Sequence, residues 1–282
     1  MTTAREYTKR GAFAAGIEGP ACDPDGNLYA VAYNDGRPRA IGKVSPGGEA
    51  SFFVSLPEGS MGCGMRAYPK EGALFVADFA GHNVLKIELT TRRVSVHCHE
   101  PRMHQPNDLA IRSDGTLFAS DPLWDEGTGQ LWRIDPDGTA ALLETGMGTT
   151  NGIELSPDER TLYVAETLQR TVWAYDVSGT GAVSGKRLLH RFEDHLSDGM
   201  RCDASGNLYV TRFGKGCIAK LSPEGELLEE IALNGKQCTN VTFGGADGRD
   251  AYVTVADNGT IETFRTDVPG RCWAMWRSAE GF

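Results

Sequence analysis

Residues 151–166 read NGIELSPDERTLYVAE and residues 198–212 read DGMRCDASGNLYVTR. Each runs from a polar or small pair through a short apolar strand into a turn of Pro, Asp, Ser or Gly. Each then resumes as Leu-Tyr-Val. The same phrase is EGPACDPDGNLYAVA at 18–32, CGMRAYPKEGALFVAD at 63–78, NDLAIRSDGTLFASD at 107–121 and NVTFGGADGRDAYVTV at 240–255. Turn residues that tolerate left-handed backbone, set between β-branched and aromatic runs, specify a β-hairpin. Six hairpins whose starts lie 42 to 47 residues apart match the repeat length of a four-stranded propeller blade.

Third and fourth strands follow each hairpin, as in GQLWRIDPDG from Gly129 and AALLET from Ala140, or TVWAYDV from Thr171 and KRLLHRF from Lys186. No segment repeats its apolar residues with a helical period, so helices are expected to be nearly absent. The expectation is an all-β chain, a six-bladed β-propeller of four-stranded antiparallel blades. It occupies residues 1–282 as a single domain, because no linker composition interrupts the repeat. Closing the ring falls to the segments around Tyr7–Phe13 and Cys272–Arg277, the latter read as a last strand.

Composition agrees. The 35 glycines among 282 residues are about twice the usual share and are spread along the chain, as recurrent tight turns require. A net charge of −10 without a basic run excludes a nucleic-acid or anionic-membrane partner. Seven cysteines without CxxC spacing, a polar start with no apolar leader and no apolar run of membrane-spanning length lead to the expectation of a cytoplasmic protein with reduced thiols.

In a propeller the first strand of every blade lines the central channel, so the six repeat starts share one layer at its mouth. That layer holds Glu18, Cys63 or Gly64, Asn107, Asn151, Asp198 and Asn240. Burying carboxylates and carboxamides together is costly without partners, and two converging carboxylates repel. A hard divalent cation held by Glu18, Asn107, Asn151 and Asp198 would resolve both costs. A self-satisfied plug of amides, carboxylates and water would also do so.

At these residues the chain resembles the SMP-30/gluconolactonase/regucalcin-like family. The resemblance rests on EGP at Glu18, QPNDLAI from Gln105 with DGTLFASDP after it, TNGIELSPDERTLYVAET from Thr150, LSDGM from Leu196 and CTNVTFGG from Cys238. It implies one divalent cation, calcium first with magnesium, manganese or zinc as alternatives. Glu18, Asn151 and Asp198 would be its ligands, and Asn107 would lie beside metal or substrate. It also implies hydrolysis of a lactone or related ester, with Asp198 as general base. Two departures bear on the substrate. Gln105 stands where sugar-lactone members carry Arg, and Met61, Cys63, Met65, Met103 and Trp124 make the mouth less polar than a sugar needs.

Gln105, His104, Asp121, Cys63, Met65 and Trp124 complete the expected substrate-binding set with Asn107. Asp108 and Glu166 read as supporting or hairpin-end residues. His97 and His99 alternate on one strand, a pair without a third ligand that reads as a solvated face. No basic partner accompanies Cys63 as a nucleophile, and no serine-hydrolase elbow, P-loop or dinucleotide fingerprint occurs. The expected partner is a small-molecule lactone or ester, and the chain is read as a monomer or small homo-oligomer. The rival functions are a non-catalytic propeller that binds a ligand or protein, a promiscuous phosphotriesterase-like hydrolase, and a metal-free relative that condenses or cyclises its substrate.

Overall fold

The computed structural model describes residues 3–279. Each of the six phrases folds as the first two strands of a four-stranded antiparallel sheet, and the six sheets form a ring, a six-bladed β-propeller. The innermost strands are Ala21–Cys22, Gly62–Tyr68, Leu109–Ile111, Thr150–Leu155, Leu196–Cys202 and Cys238–Gly244. Each touches the next around the axis, and the sixth meets the first. The apolar cores lie between neighbouring blades. Ala77, Leu109 and Trp132, for instance, share a cluster between blades two and three, and Tyr163, Met200 and Val210 one between blades four and five.

The turn chemistry is that of the sequence. In blade one, Asp23 accepts from the Asn27 backbone N–H at 2.8 Å and from the Tyr29 hydroxyl at 2.9 Å. Asp203 repeats this with Asn207 at 3.0 Å in blade five. Gly26 (φ 80°) and Gly206 (φ 91°) supply the left-handed position that each turn needs.

Two features of the closure differ from the sequence expectation. Arg5–Glu6 is the outermost strand of blade six, pairing Arg5 with Thr263 and Glu6 with Glu262. Tyr7–Phe13 then crosses towards blade one instead of forming the closing strand, although Tyr7 still donates to the Ile261 carbonyl at 2.8 Å. Arg271–Ala279, which includes Cys272–Arg277, is an α-helix and not a strand. It covers the end of the channel that the hairpin turns surround. Among the described residues no helix is long and apolar enough to cross a membrane.

Candidate functional site

The strands that carry the mouth residues are interrupted at those residues. In blade two Gly62 pairs with Asp78 and Met65 with Val76, so three residues advance against two on the partner strand. The same extra residue lies between Thr150 and Ile153, between Ser197 and Met200, and between Cys238 and Val241. A β-bulge breaks the pleat and re-aims side chains. It thereby places Cys63, Asn151 and Asp198 at the mouth of the channel. Glu18 and Asn107 lie just ahead of shorter inner strands and keep their pairing through Val31 N–H to the Glu18 carbonyl (3.1 Å) and Asn107 N–H to the Ser120 carbonyl (2.9 Å).

The bulge corrects one assignment. Register places Thr239 level with Asn151 and Asp198, and Asn240 one layer deeper, level with Gly152 and Gly199. The mouth layer is therefore Glu18, Cys63, Asn107, Asn151, Asp198 and Thr239.

Two oxygens of this layer lack partners, while Glu18 accepts from the Gly19 N–H and the Asn240 amide. The side-chain carbonyl oxygens of Asn107 and Asn151 are buried and accept no hydrogen bond. Orphaned buried acceptors are rare and point to a donor or cation that completes them. Burial raises the Asp198 carboxyl to about 7; the Asn151 amide donating to it works the other way, and nearby Asp108 adds to the rise. Burial, then the charges of Asp198 and Asp108, push Glu18 well above the usual carboxylate range. Two carboxylates that resist ionising together and two unsatisfied amide oxygens form an all-oxygen donor set that fits a hard divalent cation. Among the described residues no group of three or more His, Cys, Asp or Glu side chains could hold a metal, so such a cation would depend on the amides.

Beneath the mouth the channel is packed with charge. The second layer holds four glycines, 19, 64, 152 and 199, beside Asp108 and Asn240. A Cβ on Gly64 would lie 2.1 Å from Asp108 Oδ1, and one on Gly199 2.1 Å from Asn240 Cγ. Asp108 and Asn240 thus fill the room beside Gly64 and Gly199, while Gly19 and Gly152 admit neighbouring backbone, where a Cβ would lie 2.1 Å from the Cys63 carbonyl oxygen and 2.4 Å from that of Asp198. Below them Arg66 reaches Asp108 Oδ1 at 2.9 Å and the Ile153 carbonyl at 2.7 Å. Arg201 reaches the Asn240 carbonyl oxygen at 3.1 Å and the Met200 carbonyl at 2.8 Å. At the far end Arg271 donates to Ile111 (2.9 Å), Ser156 (3.1 Å), Glu159 (2.9 Å) and Glu154 (3.4 Å). These arginines and Glu154 went unread in the sequence. Arg66, Glu154 and Arg201 each follow a mouth residue by three positions, in CGMR, NGIE and DGMR, and that recurrence was the available signal.

The other expected site residues divide. Asp121 is fully buried. It accepts from the backbone N–H groups of His104 (2.9 Å) and Gln105 (2.6 Å), from Gln130 (2.7 Å) and from the Trp132 indole (2.9 Å). Asp78 and Glu166 occupy the same register and likewise bind the loop entering their blades, through Met61 N–H (2.8 Å) and Gly148 N–H (2.8 Å). Asp121 is therefore a loop clamp with its acceptors taken. Met65 is likewise withdrawn into the core, fully buried.

Gln105 accepts from the Trp124 N–H at 3.0 Å, tying the loop of blade three to the short 3-10 turn Trp124–Glu126. His104 is half-buried with Nδ1 unpartnered. Cys63 stays at the mouth, where burial and then the charges of Glu18, Asp108 and Asp198 push its thiol well above the ordinary range, the reverse of an activated nucleophile. His97 packs edge-on against Phe75, and His99 bonds Asn83 at 2.8 Å.

Comparison with known proteins identifies the family. The family described as SMP-30/Gluconolactonase/LRE-like region matches residues 16–257. A gluconolactonase of Zymomonas mobilis subsp. mobilis is 28% identical over 277 residues, 86% of this chain and 76% of its own. Pentonolactonase XacC of Haloferax volcanii is 36% identical over 154 residues, 53% of each chain, so the match spans about half the length of that relative. Among solved structures, a calcium-binding protein, regucalcin, of Agrobacterium tumefaciens strain C58 superposes with a TM-score of 0.82 at 20% identity, covering 95% of both chains. The family match runs from just ahead of Glu18 to just past the second strand of blade six and so spans every residue of the mouth layer. The chain belongs to the SMP-30/gluconolactonase/LRE-like family.

Proposed function

We propose that this protein is a divalent-cation-dependent lactonase. Gluconolactonase and pentonolactonase relatives support lactone hydrolysis. The observation that carries the cation is the pair of orphaned amide oxygens, Asn107 Oδ1 and Asn151 Oδ1, set in one layer with two carboxylates of raised pKa. Glu18, Asn151 and Asp198 would hold it, with Asn107 beside it. When bound, such a cation polarises a carbonyl and stabilises the negative charge that develops on its oxygen.

The chain's own residues supply the rest. Asp198 accepts the proton of the attacking water, and the Asn151 amide and the Gly199 backbone N–H that bond its carboxylate fix its orientation. The water oxygen bonds to the acyl carbon, and the acyl carbon–ring oxygen bond breaks. The proton held by Asp198 passes to the departing ring oxygen, giving a hydroxy acid. Asp121, by clamping the His104–Gln105 backbone, keeps Asn107 and the unpartnered His104 Nδ1 at the mouth. Beneath the site the channel is filled by Asp108, Asn240, Arg66 and Arg201.

The test is elemental analysis of the purified protein together with lactone hydrolysis before and after chelation. About one equivalent of a divalent cation, activity lost on chelation and restored by adding the ion, is the expected result. Turnover indifferent to chelation would remove the cation, and no turnover of any lactone would remove the hydrolase.

A further inference from the structure

A groove leaves the channel mouth and runs outward between blades one and two. Its inner end is formed by Glu18 and Cys63, and its walls by Val31, Tyr33, Leu56, Met61 and Phe79. Its volume is about 670 Å³, within the range of small-molecule pockets. It is continuous with the proposed site because Glu18 belongs to both.

Most polar side chains along this groove already have a protein partner, and the remaining guanidinium N–H groups of Arg37 and Arg39 lie at its exposed outer rim. The Tyr33 hydroxyl donates to Ala50 (3.4 Å), the Asn34 amide to Gly11 (3.1 Å), and the Ser60 hydroxyl to Asp78 (2.8 Å). Arg37 pairs with Asp35 and lies 4.2 Å from the Phe52 ring centroid, while Arg39 Nε donates to Leu56 (3.4 Å). A hydroxylated chain seated against the apolar walls would lose water and find few free partners there, which is unfavourable for every hydroxyl buried. An alkyl or aryl chain meets the opposite condition. The backbone is held to this shape at some strain, since Ala32 (φ 61°) and Arg39 (φ 53°), which bracket the outer wall, are both left-handed without being glycine.

We propose that the lactone hydrolysed here carries an apolar substituent seated between blades one and two, in place of the polyhydroxylated chain of a sugar lactone. The proposal rests on the lactonase reading above and assigns its substrate class. The reaction is unchanged: water adds to the acyl carbon, the ring ester bond breaks, and a hydroxy acid with its apolar chain is released.

The experiment compares three lactones of one ring size: unsubstituted δ-valerolactone, δ-decalactone with its pentyl chain, and glucono-δ-lactone. The expected kcat/KM is at least about tenfold higher for δ-decalactone than for δ-valerolactone, a small part of what burying five carbons can yield. Glucono-δ-lactone should be the poorest of the three. Met61 is 56% exposed, so the fold tolerates its replacement. Met61→Glu should bring the δ-decalactone to δ-valerolactone ratio close to one, and Met61→Leu should keep it.

Calorimetric binding of the lactam analogue of δ-decalactone, which resists hydrolysis, gives a readout independent of turnover. Binding to the wild type, at least about tenfold weaker in Met61→Glu, supports the groove even if no lactone is hydrolysed, in which case the hydrolase reading alone falls. Turnover with glucono-δ-lactone preferred, or with a ratio near one in the wild type, overturns the groove and leaves the hydrolase standing. A ratio that Met61→Glu does not move overturns it as well.

Discussion

Asp198 is placed by a bulge, oriented by Asn151 and Gly199, and kept from ionising freely by burial and by Asp108. Those same conditions set its two expected phenotypes. Asp198→Asn keeps the shape and removes the proton acceptor, so kcat/KM on any lactone should fall by about 10²-fold or more. It also removes one of two carboxylates that repel in the cation-free protein. The Tm measured in chelator should therefore rise by about 2–4 °C, for about 1 kcal/mol of relieved repulsion. Loss of activity with a lowered Tm would mean that Asp198 is structural. This residue was legible in the sequence, as were Glu18, Asn107 and Asn151, because a repeat aligns what the ring later brings together. Asn240 was misplaced by one layer because its blade adds the bulge residue one position earlier relative to its polar side chain, and residue type alone does not reveal a bulge. Arg66, Glu154 and Arg201 were missed for a different reason. A lone charged residue in a strand reads as solvent-facing, and only closure of the ring turns Arg66, Glu154 and Arg201 towards one another.

At the scale of the element, the C-terminal helix was hidden because RCWAMWRSA is too short and too rich in Trp and Met to declare a period. Its place is set by Arg271, whose guanidinium is buried among Glu154, Glu159 and the backbone carbonyls of Ile111 and Ser156. Removing one partner of a buried, hydrogen-bonded ion pair leaves the other charge unsolvated and costs about 3–5 kcal/mol. Arg271→Ala should thus lower the Tm by on the order of 10 °C in thermal denaturation. The helix closes the end of the channel opposite the mouth layer, so lactone turnover measured well below the new Tm should stay within about threefold of wild type. A collapse of kcat with little change in Tm would place Arg271 in the chemistry and contradict the two-ended channel. The hairpins, by contrast, were readable element by element, since their turn residues and strand residues act locally and each repeat states them again.

The whole molecule depends on one contact that its repeats do not encode. Arg5 pairs with Thr263, and the segment behind it adds a buried network at Thr8, whose hydroxyl lies 2.9 Å from that of Thr260 and accepts the Ile261 N–H at 2.9 Å. Tyr7 packs against Tyr252 at 4.9 Å between ring centroids. These tie the first residues to the sixth blade and, through Phe13 N–H to the Gly259 carbonyl (3.0 Å), lead the chain directly to Glu18 at the mouth. A closing strand of two residues carries too little pattern to be read from sequence, yet it shields the edge of the sixth sheet. Deleting residues up to Arg10 removes several hydrogen bonds worth about 1 kcal/mol each and one buried tyrosine face. The Tm should fall by on the order of 10 °C, with aggregation through the exposed strand Thr260–Arg265. The informative quantity is the further rise in Tm on adding a divalent cation. Its proposed ligands come from blades one, four and five, so a cation binds only where the ring remains closed, and it stabilises by an amount set by its affinity. An increment equal to that of the intact chain would show that the channel holds itself together. A lost increment would show that the short closing strand is what keeps Glu18 within the same cation site as Asp198.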